Sequence, residues 1–192
     1  MHSGKLIVFS APSGSGKTSI VRNLLTKEEL NLAFSISATS RLPRGKEQHG
    51  VDYYFIDNET FQKEIDKGCF AEHEEVYKGT FYGTYKKEIN RLLKEEKNVI
   101  FDIDVVGGLN IKRLYPDETL SVFVMPPSID VLEKRLRQRK TDSEEKIKER
   151  LAKAERELNY AAQFDTIIVN DDLEEALKEA YCLVRAFINN EI

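Results

Sequence analysis

Residues 6–25 read LIVFSAPSGSGKTSIVRNLL, and this stretch determines how the rest of the chain can fold. Leu6 to Ser10 form a short apolar run typical of a buried strand, whereas the apolar residues after Ser19 recur at the spacing of one helix face. Residues 11–18, APSGSGKT, join the two through a glycine-rich turn. Such a turn directs backbone N–H groups and the positive end of the following helix toward phosphate groups. We therefore predict a nucleoside triphosphate-binding loop, in which Lys17 reaches the β- and γ-phosphates and Thr18 ligates magnesium.

Short apolar runs alternate with amphipathic segments along the rest of the chain, which is the pattern of βαβ units around a parallel sheet. We predict further strands at residues 33–38, 98–104, 119–125 and 165–169, and helices at 84–96, 128–139, 143–162 and 173–189. The segment from 41 to 85 interrupts this order, because it is rich in tyrosine, phenylalanine, glycine and charge. The predicted fold class is α/β: a P-loop NTPase-type three-layer core with a mainly five-stranded parallel sheet, an inserted mixed-β region and a helical lid.

The composition favours a soluble enzyme over a nucleic-acid or membrane protein. The chain has 192 residues, of which 41% are hydrophobic and 32% charged, and its formal net charge is -4. Duplex-binding proteins usually carry a net basic surface, so we expect no nucleic-acid partner. The sequence shows neither a signal-peptide pattern nor an apolar run near the length of a membrane span, which predicts a cytoplasmic protein without a membrane partner. Three scattered histidines and two distant cysteines, Cys69 and Cys182, do not suggest a zinc site.

Six motifs, in order and at similar spacing, resemble those of guanylate kinases. They are APSGSGKT (11–18), SATSRLPRGKEQHGVDYYF (37–55), FAEHEEVYKGTFYGT (70–84), DIDVVGG (102–108), RLRQRKTDSEE (135–145) and IIVNDD (167–172). The strict phosphate-loop pattern has glycine where Ala11 stands, but guanylate kinases commonly carry alanine there. The resemblance implies transfer of the γ-phosphoryl group of ATP to GMP or dGMP, with Mg2+ as cofactor and no obligate protein partner. It also implies a core at 1–36, 86–134 and 151–192, a GMP-binding domain at 37–85 and a lid at 135–150.

The acceptor pocket implied by the resemblance also agrees with the chemistry of GMP. A dianionic phosphate requires fixed cations, and Arg41 and Arg44 can grip it as planar forks while Tyr53 and Tyr82 add hydroxyl donors. Guanine presents two adjacent N–H donors, which a carboxylate accepts, whereas adenine would leave that carboxylate buried and unpaired. By resemblance, the GMP-binding residues are Ser37, Arg41, Arg44, Glu47, Tyr53, Glu72, Tyr82, Thr84 and Asp104.

The triphosphate side of the predicted site combines the glycine-rich loop with charges from two other regions. By resemblance, ATP is bound by Ala11, Pro12, Ser13, Gly14, Ser15, Gly16, Lys17, Thr18, Ser19 and Asn170. Thr18 and Asp102 are the expected magnesium positions, the latter through water. The expected catalytic residues are Lys17, Arg41, Asp102, Arg135, Arg139 and Arg150, whose cations would neutralise charge on the migrating phosphoryl group.

Two other functions compete with this interpretation. One is a P-loop kinase for another acceptor, such as AMP or a ribosyl phosphate. Such an acceptor would not present guanine's hydrogen-bonding edge to Glu72, Ser37 and Thr84, which argues against this alternative. A non-catalytic guanylate-kinase-like module that binds phosphopeptides would be expected to have a degraded phosphate loop, whereas Lys17 and Thr18 are both present here.

Overall fold

The first strand and helix form where the sequence predicts them. The computed structural model describes residues 4–138 and 142–192. Strand β1 (Leu6–Ser10) is wholly buried and leads through the glycine-rich loop into helix α1 (Lys17–Leu25). The other strands are β2 (Leu32–Phe34), β3 (Ala38–Thr39), β4 (Tyr54–Phe55), β5 (Phe70–Tyr77), β6 (Thr80–Tyr85), β7 (Asn98–Asp102), β8 (Thr119–Met125) and β9 (Thr166–Val169). The other helices are α2 (Asn58–Asp66), α3 (Lys86–Lys94), α4 (Val105–Leu114), α5 (Ile129–Gln138), α6 (Glu144–Leu158) and α7 (Leu173–Ile188).

A five-stranded parallel sheet forms the centre of the molecule, with the strand order β2-β7-β1-β8-β9. Side chains of β1 alternate between its two faces, as the two-residue period of a strand requires. Ile7 and Phe9 pack with residues of α1 and α7, whereas Leu6 and Val8 pack with residues of α3 and α4. The helices therefore cover both faces, and the predicted three-layer α/β fold is confirmed.

A second sheet is formed by the inserted segment, with the strand order β4-β3-β6-β5 and both parallel and antiparallel pairs. It has a hydrophobic cluster of its own, in which the rings of Phe61 and Phe70 stack with centroids 4.6 Å apart. Ala38 and Tyr85 complete the buried part of this cluster. The mixed-β insertion expected from the sequence is thus present, with α2 packed against it.

Three element predictions need correction. The predicted strand 33–38 is two strands, because β2 ends at Phe34 in the parallel sheet and β3 begins at Ala38 in the inserted one. The predicted strand 98–104 ends at Asp102, since Asp104 is already the N-cap of α4. Helix α4 itself was not predicted. The remaining helices differ from the predictions mainly by a few residues at their ends, which is ordinary for helix boundaries.

Among the described residues, no helix is both long and apolar enough to cross a membrane.

Candidate active site

The phosphate loop depends on two glycines with left-handed backbone conformations. Gly14 has φ 103° and Gly16 has φ 92°, values that residues with a Cβ rarely adopt. A Cβ on Gly16 would lie 2.1 Å from Nδ2 of Asn170, so this position also has no room for a side chain. Gly16 is the N-cap of α1, and the N-terminus of this helix therefore points into the loop. The backbone thus has the glycine-dependent turn and the exposed helix N-terminus on which the prediction of a phosphate-binding loop depends.

Lys17, Thr18 and Asp102 form one hydrogen-bonded group at the carboxyl ends of β1 and β7. The Lys17 ammonium lies 2.6 Å from Oδ1 of Asp102 and donates to the carbonyl of Ile103 at 2.5 Å. The Thr18 hydroxyl donates to Oδ2 of Asp102 at 2.7 Å. Burial alone would raise the pKa of Asp102, but the charge of Lys17 and hydrogen bonds from Lys17 and Thr18 outweigh burial and lower it. Asp102 therefore carries a negative charge at neutral pH.

Arg41 is fixed within the inserted sheet by Glu47 and two aromatic rings. Its Nη1 and Nη2 donate to the two carboxylate oxygens of Glu47 at 2.6 and 2.8 Å, and its Nε donates to the Tyr82 hydroxyl at 3.0 Å. The guanidinium carbon lies 4.8 Å from the centre of the Tyr53 ring. Hydrogen bonding to Arg41 lowers the pKa of Glu47, and burial raises the pKa of Tyr53 to about 12. Arg41 is thus a preorganised cation, whereas the nearby Arg44 is exposed.

The predicted base-recognition residues lie together beside the first turn of α4. Glu72 is 5% exposed, and its Oε1 accepts a hydrogen bond from the Thr84 hydroxyl at 2.6 Å. Asp104 caps α4 by accepting from the Gly107 N–H at 3.0 Å. A Cβ on Gly107 would lie 2.5 Å from Oε2 of Glu72 and 3.4 Å from Oδ2 of Asp104. The lack of a side chain at residue 107 therefore leaves room for the Glu72 carboxyl group, whereas 3.4 Å from Asp104 is an ordinary van der Waals distance.

The arginines predicted near the triphosphate are held by different parts of the core. Arg150 donates to the Ser13 hydroxyl in the phosphate loop at 2.6 Å, and its Nε lies 3.3 Å from Oδ2 of Asp142. Arg135 donates to the backbone carbonyl of Asn170 at 2.9 Å. The Asn170 side chain is buried and donates to the Ser15 carbonyl at 2.7 Å, so it supports the loop from behind. Arg139 lies outside the described residues.

One open cleft, with a volume of about 290 Å³, joins these groups. Most of the predicted site residues line it, including Lys17, Glu72 and Tyr82. The predicted residues that line the cleft are Ala11 to Ser19, Ser37, Arg44, Tyr53, Glu72, Tyr82, Asp102, Asp104 and Arg150. Glu47 and Arg41 lie behind this lining, and Thr84 supports Glu72. The inserted sheet and the phosphate loop therefore face each other across the same space.

Sequence reasoning missed Lys153, Glu157 and Tyr77, which also line the cleft. Lys153 and Glu157 follow Arg150 on one face of α6 at helical spacing, with Lys153 Nζ 3.5 Å from Oε1 of Glu157 and 5.4 Å from the Tyr77 ring centre. The charged face of α6 was the available signal, but such faces are usually solvated. Only the folded structure, in which Lys153 lies over the Tyr77 ring of β5, shows that this face lines the cleft.

Comparisons with known proteins agree with this geometry. The family model described as "Guanylate kinase" matches residues 3–187. The chain belongs to the guanylate kinase family. A guanylate kinase of Bacteroides thetaiotaomicron is 55% identical over 98% of this chain and 92% of its own length, and one of Porphyromonas gingivalis is 54% identical over 96% and 98%. The crystal structure of a guanylate kinase from Anaplasma phagocytophilum superposes with a TM-score of 0.78 at 30% identity, covering 98% of this chain and 88% of that one.

Membership of the guanylate kinase family gives a chemical meaning to the two sides of the cleft. The side with Lys17 and the N-terminus of α1 is suited to phosphate groups, because its cation and N–H groups converge on one point. The side with Glu72 and Asp104 offers hydrogen-bond acceptors, which suit a base with several N–H donors. The residue roles that follow from this division are developed below.

Proposed function

We propose that the chain transfers the γ-phosphoryl group of ATP to GMP or dGMP, reversibly, giving ADP and the nucleoside diphosphate. The observation that carries this proposal is the position of Glu72, a buried carboxyl group that lines the same cleft as Lys17. A buried acid with few donors of its own is unfavourable unless a ligand supplies them. Guanine supplies two adjacent N–H donors, and adenine and the pyrimidines do not offer the same pair.

Binding of the acceptor phosphate is assigned to the residues around Arg41. Glu47 orients Arg41, and Arg44, Tyr53 and Tyr82 would add a mobile cation and hydroxyl donors. Ser37 and Thr84 would complete the recognition of the base beside Glu72 and Asp104. The second pKa of a phosphate monoester is near 6, so the attacking oxygen of GMP is already ionised at pH 7. The reaction therefore needs positioning and neutralisation of charge rather than a general base.

On the donor side, residues 11–19 would hold ATP, with Lys17 at its β- and γ-phosphates. Arg135, Arg139 and Arg150 would neutralise charge on the transferred group, and Asn170 holds the loop in place. A bound Mg2+ would supply further positive charge at the phosphates. The Thr18 hydroxyl and the Asp102 carboxylate fit that ion, since both present oxygen and the Asp102 pKa is lowered. The described residues contain no cluster of three or more acidic, histidine or cysteine side chains for a metal, and Mg2+ commonly takes only one or two carboxylates with the phosphates and water.

A division into moving parts goes with this assignment. We assign residues 1–36, 86–134 and 151–192 to a core, residues 37–85 to a GMP-binding domain and residues 135–150 to a lid. The separate hydrophobic cluster of the inserted sheet supports the second boundary. Closure of these parts over both nucleotides would exclude water and limit ATP hydrolysis. The protein is assigned to the cytoplasm, with nucleotides as its partners and without nucleic acid, membrane or an obligate protein partner.

The test is ADP formation from ATP and magnesium with GMP, AMP, UMP or CMP as the only acceptor. We expect rapid turnover with GMP and background rates with the other three. Glu72→Gln should lose this turnover while keeping ATP binding, and Glu75→Gln, at an exposed carboxylate of the same strand, should not. If ATP binds but no nucleotide is phosphorylated, the proposal is wrong and a binding function takes its place.

A further inference from the structure

One turn of helix α6 contacts both the phosphate loop and the inserted sheet. Arg150 donates to the Ser13 hydroxyl of the loop at 2.6 Å. Lys153 follows on the same face of the helix, and its Nζ lies 5.4 Å from the centre of the Tyr77 ring on β5. At this distance a cation over the face of an aromatic ring is attracted to it. The two walls of the cleft are therefore connected through neighbouring side chains of one helix.

The Lys153 ammonium is held in this position from within α6. Glu157 lies one turn further along the helix, and its Oε1 is 3.5 Å from Lys153 Nζ. The side chains of Lys153 and Glu157 are only 20% and 12% exposed, so water and salt screen this ion pair less than a pair on the open surface. Glu157 and the Tyr77 ring thus fix the ammonium group between the helix and the inserted sheet.

Tyr77 belongs to the hairpin that carries groups assigned to GMP. It is the last residue of β5 and pairs with Thr80, the first residue of β6. Glu72 on β5 and Thr84 on β6 are joined by a hydrogen bond of 2.6 Å, and Tyr82 on β6 accepts from Arg41. Because the two strands are paired along their length, a contact that holds Tyr77 also holds the hairpin on which these groups lie.

We propose that Lys153 is a positioning residue that couples the two nucleotide sites: by attaching α6 to Tyr77, it makes ATP at the phosphate loop strengthen the binding of GMP at the hairpin. Phosphates in the loop fix Ser13, and through Arg150 they fix α6. The hairpin is then held against a fixed helix rather than a mobile one. Thermodynamic linkage makes the effect mutual, so GMP strengthens ATP binding by the same factor. This inference rests on the proposed function and extends it to the effect of one substrate on the other.

The test measures the dissociation constant of GMP by calorimetry, first alone and then with the chain saturated by magnesium and a non-hydrolysable ATP analogue. In the parent chain we expect the analogue to tighten GMP binding by about two- to fivefold, the factor that one cation–aromatic contact near the surface supplies. Lys153→Met removes the charge and keeps a long side chain. It should reduce this factor to about one, while the dissociation constant of GMP alone changes by less than about twofold. Lys148→Met, at an exposed position of α6, is the matched control and should keep the coupling of the parent chain.

Conservative variants on both sides of the contact identify what carries the coupling. Lys153→Arg keeps a cation over the ring and should retain the coupling factor, and Tyr77→Phe should retain it because the ring itself is kept. Tyr77→Leu removes the aromatic face and should lose the coupling. Adding Lys153→Met to Tyr77→Leu should cause no further loss, since both changes remove the same contact.

The outcomes separate this inference from the function on which it rests. If the parent chain does not phosphorylate GMP, the proposed function fails first. If the parent chain is active but the ATP analogue leaves the affinity for GMP unchanged, the sites are not coupled and the inference is wrong. It is equally wrong if Lys153→Met weakens one nucleotide alone and keeps the coupling factor, because Lys153 then contacts that nucleotide directly. Additive losses from Lys153→Met and Tyr77→Leu would also overturn it, since the two residues would then act through different contacts.

Discussion

At the scale of single residues, Glu72 combines a requirement for binding with a cost to stability. Burial, followed by the charge of Asp104, raises its pKa from 4.5 to about 8. An unfolded chain releases this proton above about pH 4.5 and the folded chain only near pH 8, so the contribution of Glu72 to stability decreases as the pH rises through this interval. The carboxyl group is therefore retained at a position where a neutral side chain would stabilise the fold better.

We predict that Glu72→Gln increases the free energy of unfolding at pH 8 by about 1–3 kcal/mol relative to the parent chain, with little difference near pH 4. Gln is neutral at both pH values and keeps an oxygen to accept from Thr84. Urea unfolding of both proteins at the two pH values measures the difference, with Glu75→Gln as the charge control. A stability gain of equal size at both pH values would show that ionisation of Glu72 is not its origin.

Gly107 and Gly108 are adjacent in α4 but should have different effects when replaced. A Cβ on Gly107 would lie 2.5 Å from Oε2 of Glu72, whereas one on Gly108 would lie 2.3 Å from the Ser10 hydroxyl in the core. We predict that Gly107→Ala displaces Glu72 and thereby raises the KM for GMP at least about tenfold, which is the effect of losing one hydrogen bond to a charged group. The KM for ATP should not change. Gly108→Ala should mainly lower the melting temperature. Steady-state kinetics and thermal unfolding of both variants test this, and equal effects of the two on GMP would contradict it.

At the scale of elements, the sequence predicts where a segment is regular but not where it changes sheets. Residues 33–38 have strand character throughout, yet the chain leaves the parallel sheet after Phe34 and enters the inserted sheet at Ala38. Helix α4 was not predicted because its two adjacent glycines, Gly107 and Gly108, each disfavour a helix by about 1 kcal/mol. Their presence is a tertiary requirement of Glu72 and Ser10, and no local pattern encodes it.

The parts of the candidate site that lie in local sequence motifs could be predicted, and the parts that are brought together only by folding could not. The phosphate loop follows from strand, glycines and helix, which are all local features. Tyr77 and Lys153 lie on a strand and a helix that are far apart in sequence, and the charge of Lys153 alone resembles that of a solvated helix face. They become site residues only when β5 and α6 pack around one cleft.

The inserted sheet should lose stability on its own when its cluster is disrupted. Phe61 is fully buried there and stacks on Phe70. We predict that Phe61→Ala, a change that typically costs about 3–5 kcal/mol, raises the KM for GMP more than the KM for ATP. Val184→Ala, in the core cluster beside α1, should lower stability without raising the KM for GMP more than the KM for ATP. Kinetics combined with amide hydrogen exchange distinguish the two, and equal increases in both KM values for Phe61→Ala would argue against separate stability of the insertion.

At the scale of the whole molecule, the cleft separates the proposed recognition of the acceptor from the proposed binding of the metal. The groups assigned to GMP belong mostly to the inserted sheet, whereas Thr18 and Asp102 lie at the end of the parallel sheet. In the proposed reaction two negatively charged nucleotides approach each other across this space, so transfer would require both a metal ion and the protein's cations. Binding of the acceptor alone has no such requirement.

We therefore predict that removing Mg2+ with a chelator reduces ADP formation by more than about a hundredfold, because charge on the phosphates is then incompletely neutralised. The dissociation constant of GMP, measured by calorimetry without ATP, should change by less than about twofold, since Arg41 and Arg44 rather than the metal are proposed to hold its phosphate. Arg41→Ala should show the opposite pattern, with weakened GMP binding both with and without Mg2+. A loss of GMP affinity on chelation in the parent chain would mean that the metal belongs to the acceptor pocket, and the assignment of Thr18 and Asp102 would have to be replaced. An unchanged affinity for GMP, together with lost turnover, would place the metal on the ATP side of the cleft. Phosphoryl transfer would then be the first step that requires the ATP side and the GMP side of the cleft together.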